Sequence, residues 1–86
     1  MCHATITITD PVGLHARPAA IVVRTAGKYK ARISIEHGEK RADARSIIQL
    51  LGLGVRQGSS VNIVTEGADA PQALEAILLA ISGQST

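Results

Sequence analysis

The sequence contains no phenylalanine and no tryptophan, and Tyr29 is its only tyrosine. A core must then be built from aliphatic side chains and alanine, which suits two packed layers of secondary structure. The same lack removes the stacking platforms on which single-stranded nucleic acid is usually read. With one cysteine, Cys2, an internal disulfide is excluded, and the usage fits a reducing compartment. No apolar run approaches the ~20 residues needed to cross a bilayer, and no charged-then-apolar signal segment opens the chain. A cytoplasmic protein without membrane insertion is expected. Internal repeats, low-complexity tracts and linkers are lacking too, so residues 1–86 are read as one domain with a single modest core.

Excess charge is also small, at +2. Lys28, Lys30 and Arg32 form a basic cluster, and Arg24, Lys40, Arg41 and Arg45 add to it. This balance favours an acidic partner surface. A small basic nucleic-acid-binding module is the remote alternative, but the chain has no concentrated basic recognition helix.

What is present is clear periodicity. Ala4, Ile6 and Ile8 alternate with Thr5, Thr7 and Thr9, the pattern of a half-buried strand, and Asp10 to Leu14 breaks it. From Ala16 to about Lys28 the period lengthens: Ala19, Val22, Val23 and Ala26 mark the buried face of a helix that ends near Gly27. Pro18 is tolerated in its first turn. Ala31, Ile33 and Ile35 alternate again, and Glu36-His37-Gly38-Glu39 closes a hairpin into a short strand at Lys40 to Ala42. Ser46 and Gln49 form a capping box for a short helix through Ile47, Ile48, Leu50 and Leu51, which Gly52 and Gly54 terminate. Val61, Ile63 and Thr65 outline a fourth strand. Asp69 is read as the cap of a last helix, with Pro71 in its first turn, Gln72 as the reciprocal cap, a buried stripe of Leu74, Ile77, Leu78 and Ile81, and Gly83 just past its end. The order β-α-β-β-α-β-α, with its hairpin, predicts an antiparallel sheet with helices on one face, a two-layer α+β sandwich.

His15 falls at the start of the first long helix. The amides of Ala16 and Arg17 point out of that helix end, where the macrodipole places partial positive charge, while Pro18 offers no N–H. Such an end favours an anion, commonly phosphate. The positive surroundings work against a cationic ring, and a neutral imidazole has a lone pair that can attack phosphorus. The resulting phosphoryl group would lie among the same amides, with the fork of Arg17 able to hold two of its oxygens. Gly13 lets the chain turn and present the ring. A surface histidine that merely caps its helix accounts for the position equally well, and residue chemistry leaves both readings open.

The segments "GLHARPA" (13–19), "RSIIQLLGLGVRQG" (45–58) and "VNIVTEG" (61–67) resemble HPr, the histidine-containing phosphocarrier family of the bacterial phosphoenolpyruvate-dependent sugar phosphotransferase system. The resemblance runs over essentially the whole chain. It implies a four-stranded antiparallel sheet in the order 1-4-2-3, covered on one face by three helices. It further implies that His15 is phosphorylated on Nδ1 by phospho-enzyme I and passes the group to enzyme IIA domains of sugar permeases, with Arg17 stabilising it in transfer. On this reading the protein is a carrier acted on by phosphotransferases, with no metal or organic cofactor of its own. The nitrogen-related phosphotransferase branch, using the same chemistry with other partners, is the alternative.

The resemblance also gives Ser46 a second role, since many relatives have this serine phosphorylated by a dedicated kinase, an HPr serine kinase/phosphorylase; its charge there would oppose an acidic docking partner. Ala20, Ile21, Ile47, Ile48 and Leu51 are candidates for a docking patch shared by enzyme I and enzyme IIA, ringed by Arg24 and Lys28. At least one of Ile48 and Leu51 is expected to fill the core. Val12 stands where many relatives carry a polar residue, Ile21 is apolar where a polar residue is common, and the lack of Phe removes an aromatic some relatives place beside Ser46. Cys2 and His3 have no further ligands at metal spacing and are read as a disordered terminus. His37 is placed in the hairpin turn, and Glu66 with Asp69 is explained by a strand end and a helix cap. Nothing in the pattern demands more than a monomer.

Overall fold

A computed structural model describes residues 1–82. Its elements run β1 (Cys2–Thr7), α1 (Ala16–Ala26), β2 (Arg32–His37), β3 (Lys40–Asp43), α2 (Ile47–Leu51), β4 (Ser60–Glu66) and α3 (Ala70–Ser82). The four strands form one antiparallel sheet in the order β1-β4-β2-β3, as the resemblance implied.

Register explains which side chains meet. Ala4, Ile63, Ile35 and Ala42 lie in one row across the sheet. Because successive strand residues point to opposite faces, the neighbouring row of Thr5, Asn62, Glu36 and Arg41 lies on the other side. The first face packs on the helices and is buried apart from half-buried Ala4; the second is polar, with Asn62 Nδ2 donating to Glu36 Oε1 at 3.2 Å and Arg41 Nε 3.6 Å from Glu36 Oε2. The core joins Ile33, Ile35, Val61 and Ile63 to Ala19 and Val22 of α1, Leu50 of α2, and Ala73, Ile77 and Ile81 of α3. Thr65, fully buried among them, satisfies its hydroxyl by donating to the carbonyl of Ala70 at 2.8 Å.

Several expectations are corrected. Cys2 and His3 are not a frayed terminus: they pair with Thr65 and Val64 in β1. The buried stripe of α3 is Ala70, Ala73, Ile77 and Ile81, while Leu74 and Leu78 pack at the core's edge; small alanines let this helix lie close against its neighbours. The end of α1 near Gly27 holds: the helix stops at Ala26, where the Gly27 amide bonds the Val23 carbonyl. His37 is the last residue of β2 rather than part of the turn, and its Nδ1 lies 2.9 Å from the Leu53 carbonyl. The turn itself is Gly38-Glu39, with Gly38 at φ +63°. The Asp69 carboxylate does not fold back on its own helix. It accepts from the amides of Lys30 and Ala31 at 2.9 and 2.8 Å, tying α3 to the α1–β2 connection. Gly83 lies outside the described residues.

Candidate functional site

The loop between β1 and α1 is built on Asp10. Its Oδ1 accepts the Val12 amide at 2.9 Å and its carbonyl accepts the Gly13 amide at 2.9 Å, closing a tight turn. Gly13 follows at φ +80°, so near the next loop that a Cβ would stand 2.3 Å from the Val55 carbonyl oxygen and 2.7 Å from Arg56 Cα. Leu14 is buried, and its amide donates to the same Val55 carbonyl at 3.2 Å. The chain therefore emerges at His15 in a fixed direction. The role of Gly13 is close backbone approach as much as the turn the sequence suggested.

His15 is the N-cap residue of α1, extended at φ −111° and ψ −169°, and its carbonyl accepts the Ala19 amide at 3.0 Å. Its ring makes no capping hydrogen bond. Instead Nε2 lies 3.6 Å from Asp10 Oδ2, with the His15 side chain 36% exposed. That distance marks electrostatic orientation rather than a direct hydrogen bond. A carboxylate only accepts, so its charge favours a proton on the nitrogen that faces it, and the Nδ1 side of the ring is turned away from it. The sequence reading had surrounded the ring with positive potential alone; Asp10 is the residue it missed. The signal was an Asp-Pro pair five residues before the ring, taken only as a strand break.

The first-turn amides of Ala16 and Arg17 have no carbonyl within the helix to bond, and no acidic residue occupies that turn. Arg17 is exposed and forms no ion pair among the described residues. One turn on, Ala20 and Ile21 are half-buried and Arg24 is exposed.

α2 packs against α1 and carries the second group of candidates. Ser46 is its N-cap, accepting the Gln49 amide at 3.3 Å. The reciprocal arm of the capping box is redirected: Gln49 Oε1 accepts from the Asp43 amide at 2.9 Å, and the Ser46 amide bonds the Asp43 carbonyl. Ile47, Ile48 and Leu51 are 36%, 80% and 43% exposed. The expectation that Ile48 or Leu51 fills the core is overturned, because Leu50 alone of this helix is buried. Exposed Val12 adds to the apolar surface. Among the described residues no three His, Cys, Asp or Glu side chains converge as metal ligands, and no helix is long and apolar enough to cross a membrane.

The family model described as PTS HPr component phosphorylation site matches residues 2–82. The phosphocarrier protein HPr of Mycoplasma capricolum is 38% identical over 77 residues, 90% of this chain and 86% of that protein. The crystal structure of HPr-C-His from Thermoanaerobacter tengcongensis matches with a TM-score of 0.91 at 40% identity, over 98% of this chain and 94% of that one. An HPr dimer from the same organism matches with a TM-score of 0.78 at 40% identity, over 100% of this chain and 99% of the other.

Proposed function

Because the chain belongs to the HPr family of phosphocarrier proteins of the phosphotransferase system, we propose that His15 is its phosphoryl acceptor. Phospho-enzyme I is the donor and enzyme IIA domains of sugar permeases are the recipients. In the first transfer the Nδ1 lone pair of His15 forms the new N–P bond while the donor's bond to phosphorus breaks. In the second the same bond breaks toward the recipient. What carries this reading is the ring itself: it stands at a helix N-terminus without capping it, and its other nitrogen is turned toward Asp10. The amides of Ala16 and Arg17 and the Arg17 guanidinium receive the phosphoryl charge. The exposed face of Ile47, Ile48 and Leu51, with Ala20, Ile21 and Arg24, serves as the docking surface for both partners. The protein works in the cytoplasm as a single chain, and sedimentation should return one chain per particle.

The test is to incubate the protein with phosphoenolpyruvate, enzyme I and Mg²⁺ and to measure intact mass. Gain of one acid-labile phosphoryl group, lost in His15→Ala, is the expected result. Failure with enzymes I of sugar systems alongside success with a nitrogen-branch enzyme assigns the chain to that branch instead. Ser46, at an N-cap that tolerates a phosphate, is the proposed regulatory site for a serine kinase. Ser46→Asp should weaken enzyme I docking, and equal affinity of both forms would remove the electrostatic argument for it.

A further inference from the structure

Between residues 28 and 45 the sequence places six basic residues against three acidic ones. The fold gathers four of the six around one concavity at the β3 edge of the sheet. Lys30 comes from the α1–β2 connection, Arg32 from the start of β2, Arg41 from β3, and Arg45 from just beyond it. The cavity measures about 540 Å³; Ile33, Ser34 and Ala42 also line it, with Asp43 and Gln49 on the α2 side. None of these residues belongs to the His15 site or to the proposed docking patch.

The charges there are unevenly committed. Asp43 is the one acidic lining residue, and its Oδ1 accepts the Arg45 amide at 2.9 Å. The Arg45 guanidinium donates to the Tyr29 carbonyl, which holds its side chain in place. Arg41 leans on Glu36. Arg32 enters no ion pair among the described residues, and Lys30 none within 4.0 Å, although the Asp69 carboxylate accepts the Lys30 amide and feels its charge. Ser34 supplies an independent observation. It is only 9% exposed, it lines the cavity, and its hydroxyl has no hydrogen-bond partner among the described residues. A buried hydroxyl without a protein partner is uncommon in folded proteins, and this one faces the cavity, free to bond what enters it.

We propose that this concavity binds a phosphorylated small molecule of the diphosphate class. Arginine forks and a lysine ammonium match phosphoryl oxygens, the Ser34 hydroxyl donates to one of them, and the volume exceeds what a single phosphate fills while lying within the usual range for small-molecule sites. Gln49 lies in α2 and Arg45 immediately precedes Ser46, so a bound anion contacts the base of the helix that carries the proposed docking patch. The proposal does not depend on phosphoryl transfer by His15.

Inorganic pyrophosphate is the probe, titrated into the ¹⁵N-labelled full chain at constant ionic strength so that screening is held fixed. Saturable shifts are expected at the amides of Arg32, Ser34, Asp43 and Arg45, and they should persist in His15→Ala. In the Lys30→Gln/Arg32→Gln double variant, whose fold is checked by circular dichroism, the Kd should rise at least about tenfold. Ser34→Ala should weaken binding with both cations intact. Three outcomes overturn the proposal: no saturation below about 10 mM, shifts confined to Ala16 and Arg17, or a Kd unchanged in the double variant. Binding of RNA or an acidic peptide with no response to pyrophosphate overturns it as well.

Discussion

Two aspartates show how one carboxylate can organise structure at a distance from its own element. Asp10 holds the turn before α1 through Val12 and Gly13 and turns its other oxygen toward Nε2 of His15. Asp10→Asn keeps an oxygen for the Val12 amide and removes the charge facing the ring. Phosphoryl transfer to His15 should slow by about tenfold, equivalent to about 1.4 kcal/mol of barrier, with the melting temperature nearly unchanged. The ¹⁵N signature of the free ring should lose its preference for the Nε2–H tautomer. An unchanged tautomer population would show that Asp10 only shapes the turn. Asp69 does comparable work at the other end of the molecule. The Lys30 amide holds its carboxyl below the ordinary value of 3.8; burial opposes it, by more than the Ala31 amide adds, and the Asp69 amide and the Lys30 charge lower it further. A depressed carboxyl stabilises the fold above its unfolded value and loses that contribution as pH falls through its folded one. Wild-type stability should therefore decline below about pH 4, and Asp69→Asn should be less stable at pH 7 with a flatter acid limb. Parallel acid limbs in denaturant melts of the two proteins would refute the linkage.

At the scale of elements, α2 is the informative case, because adjacent residues of one short helix have opposite tasks. Leu50 is fully buried and Ile48 is 80% exposed. Leu50→Ala should cost about 2–5 kcal/mol of stability, the usual range for emptying a core site. Ile48→Ser should leave stability within about 0.5 kcal/mol yet slow transfer from phospho-enzyme I by raising KM. If Ile48→Ser transferred normally, the exposed apolar face would need another explanation. The existence and type of all seven elements were legible in the sequence, since period two and period 3.6 alternate cleanly along an aliphatic chain. The faces of short helices were not. Five residues, four of them apolar, do not define a stripe, so Ile48 and Leu51 could not be told from Leu50. The same held for α3, where an excess of leucine hid the fact that alanines face the core. Asp69 and Gln49 fit local capping patterns, but Asp69 spends its carboxylate on amides nearly forty residues away, and Gln49 spends its side-chain oxygen on the Asp43 amide six residues back instead of on its own cap.

Across the whole molecule, the site is a product of two loops that the sequence keeps far apart. The histidine motif was legible because a ring, an arginine and a proline at a helix start form a local pattern. What holds the motif was not legible, because its supports come from residues 55–59. The Ile8 amide bonds the Ser59 carbonyl and the Gly58 amide returns to the Ile8 carbonyl, each at 2.8 Å. Gln57 Nε2 donates to the Thr9 carbonyl at 3.3 Å and the Leu14 amide to Val55. Gly13 is the point of closest approach in this seam, and any side chain there meets backbone that cannot swing aside as a side-chain tip would. Gly13→Ala should therefore cost roughly 2–4 kcal/mol, from the left-handed backbone and the steric overlap together. Gly38→Ala is the matched control: its φ is also positive, but a Cβ there meets nothing within 4 Å. That change should cost only about 1 kcal/mol. The two variants should also differ in function. Opening the seam frees His15 from its fixed direction, so Gly13→Ala should slow phosphoryl transfer and speed hydrogen exchange at the Leu14 amide. Gly38→Ala should leave both unchanged. Equal penalties in the two variants, with transfer intact, would mean that backbone conformation alone explains Gly13 and that the second loop does not position the ring.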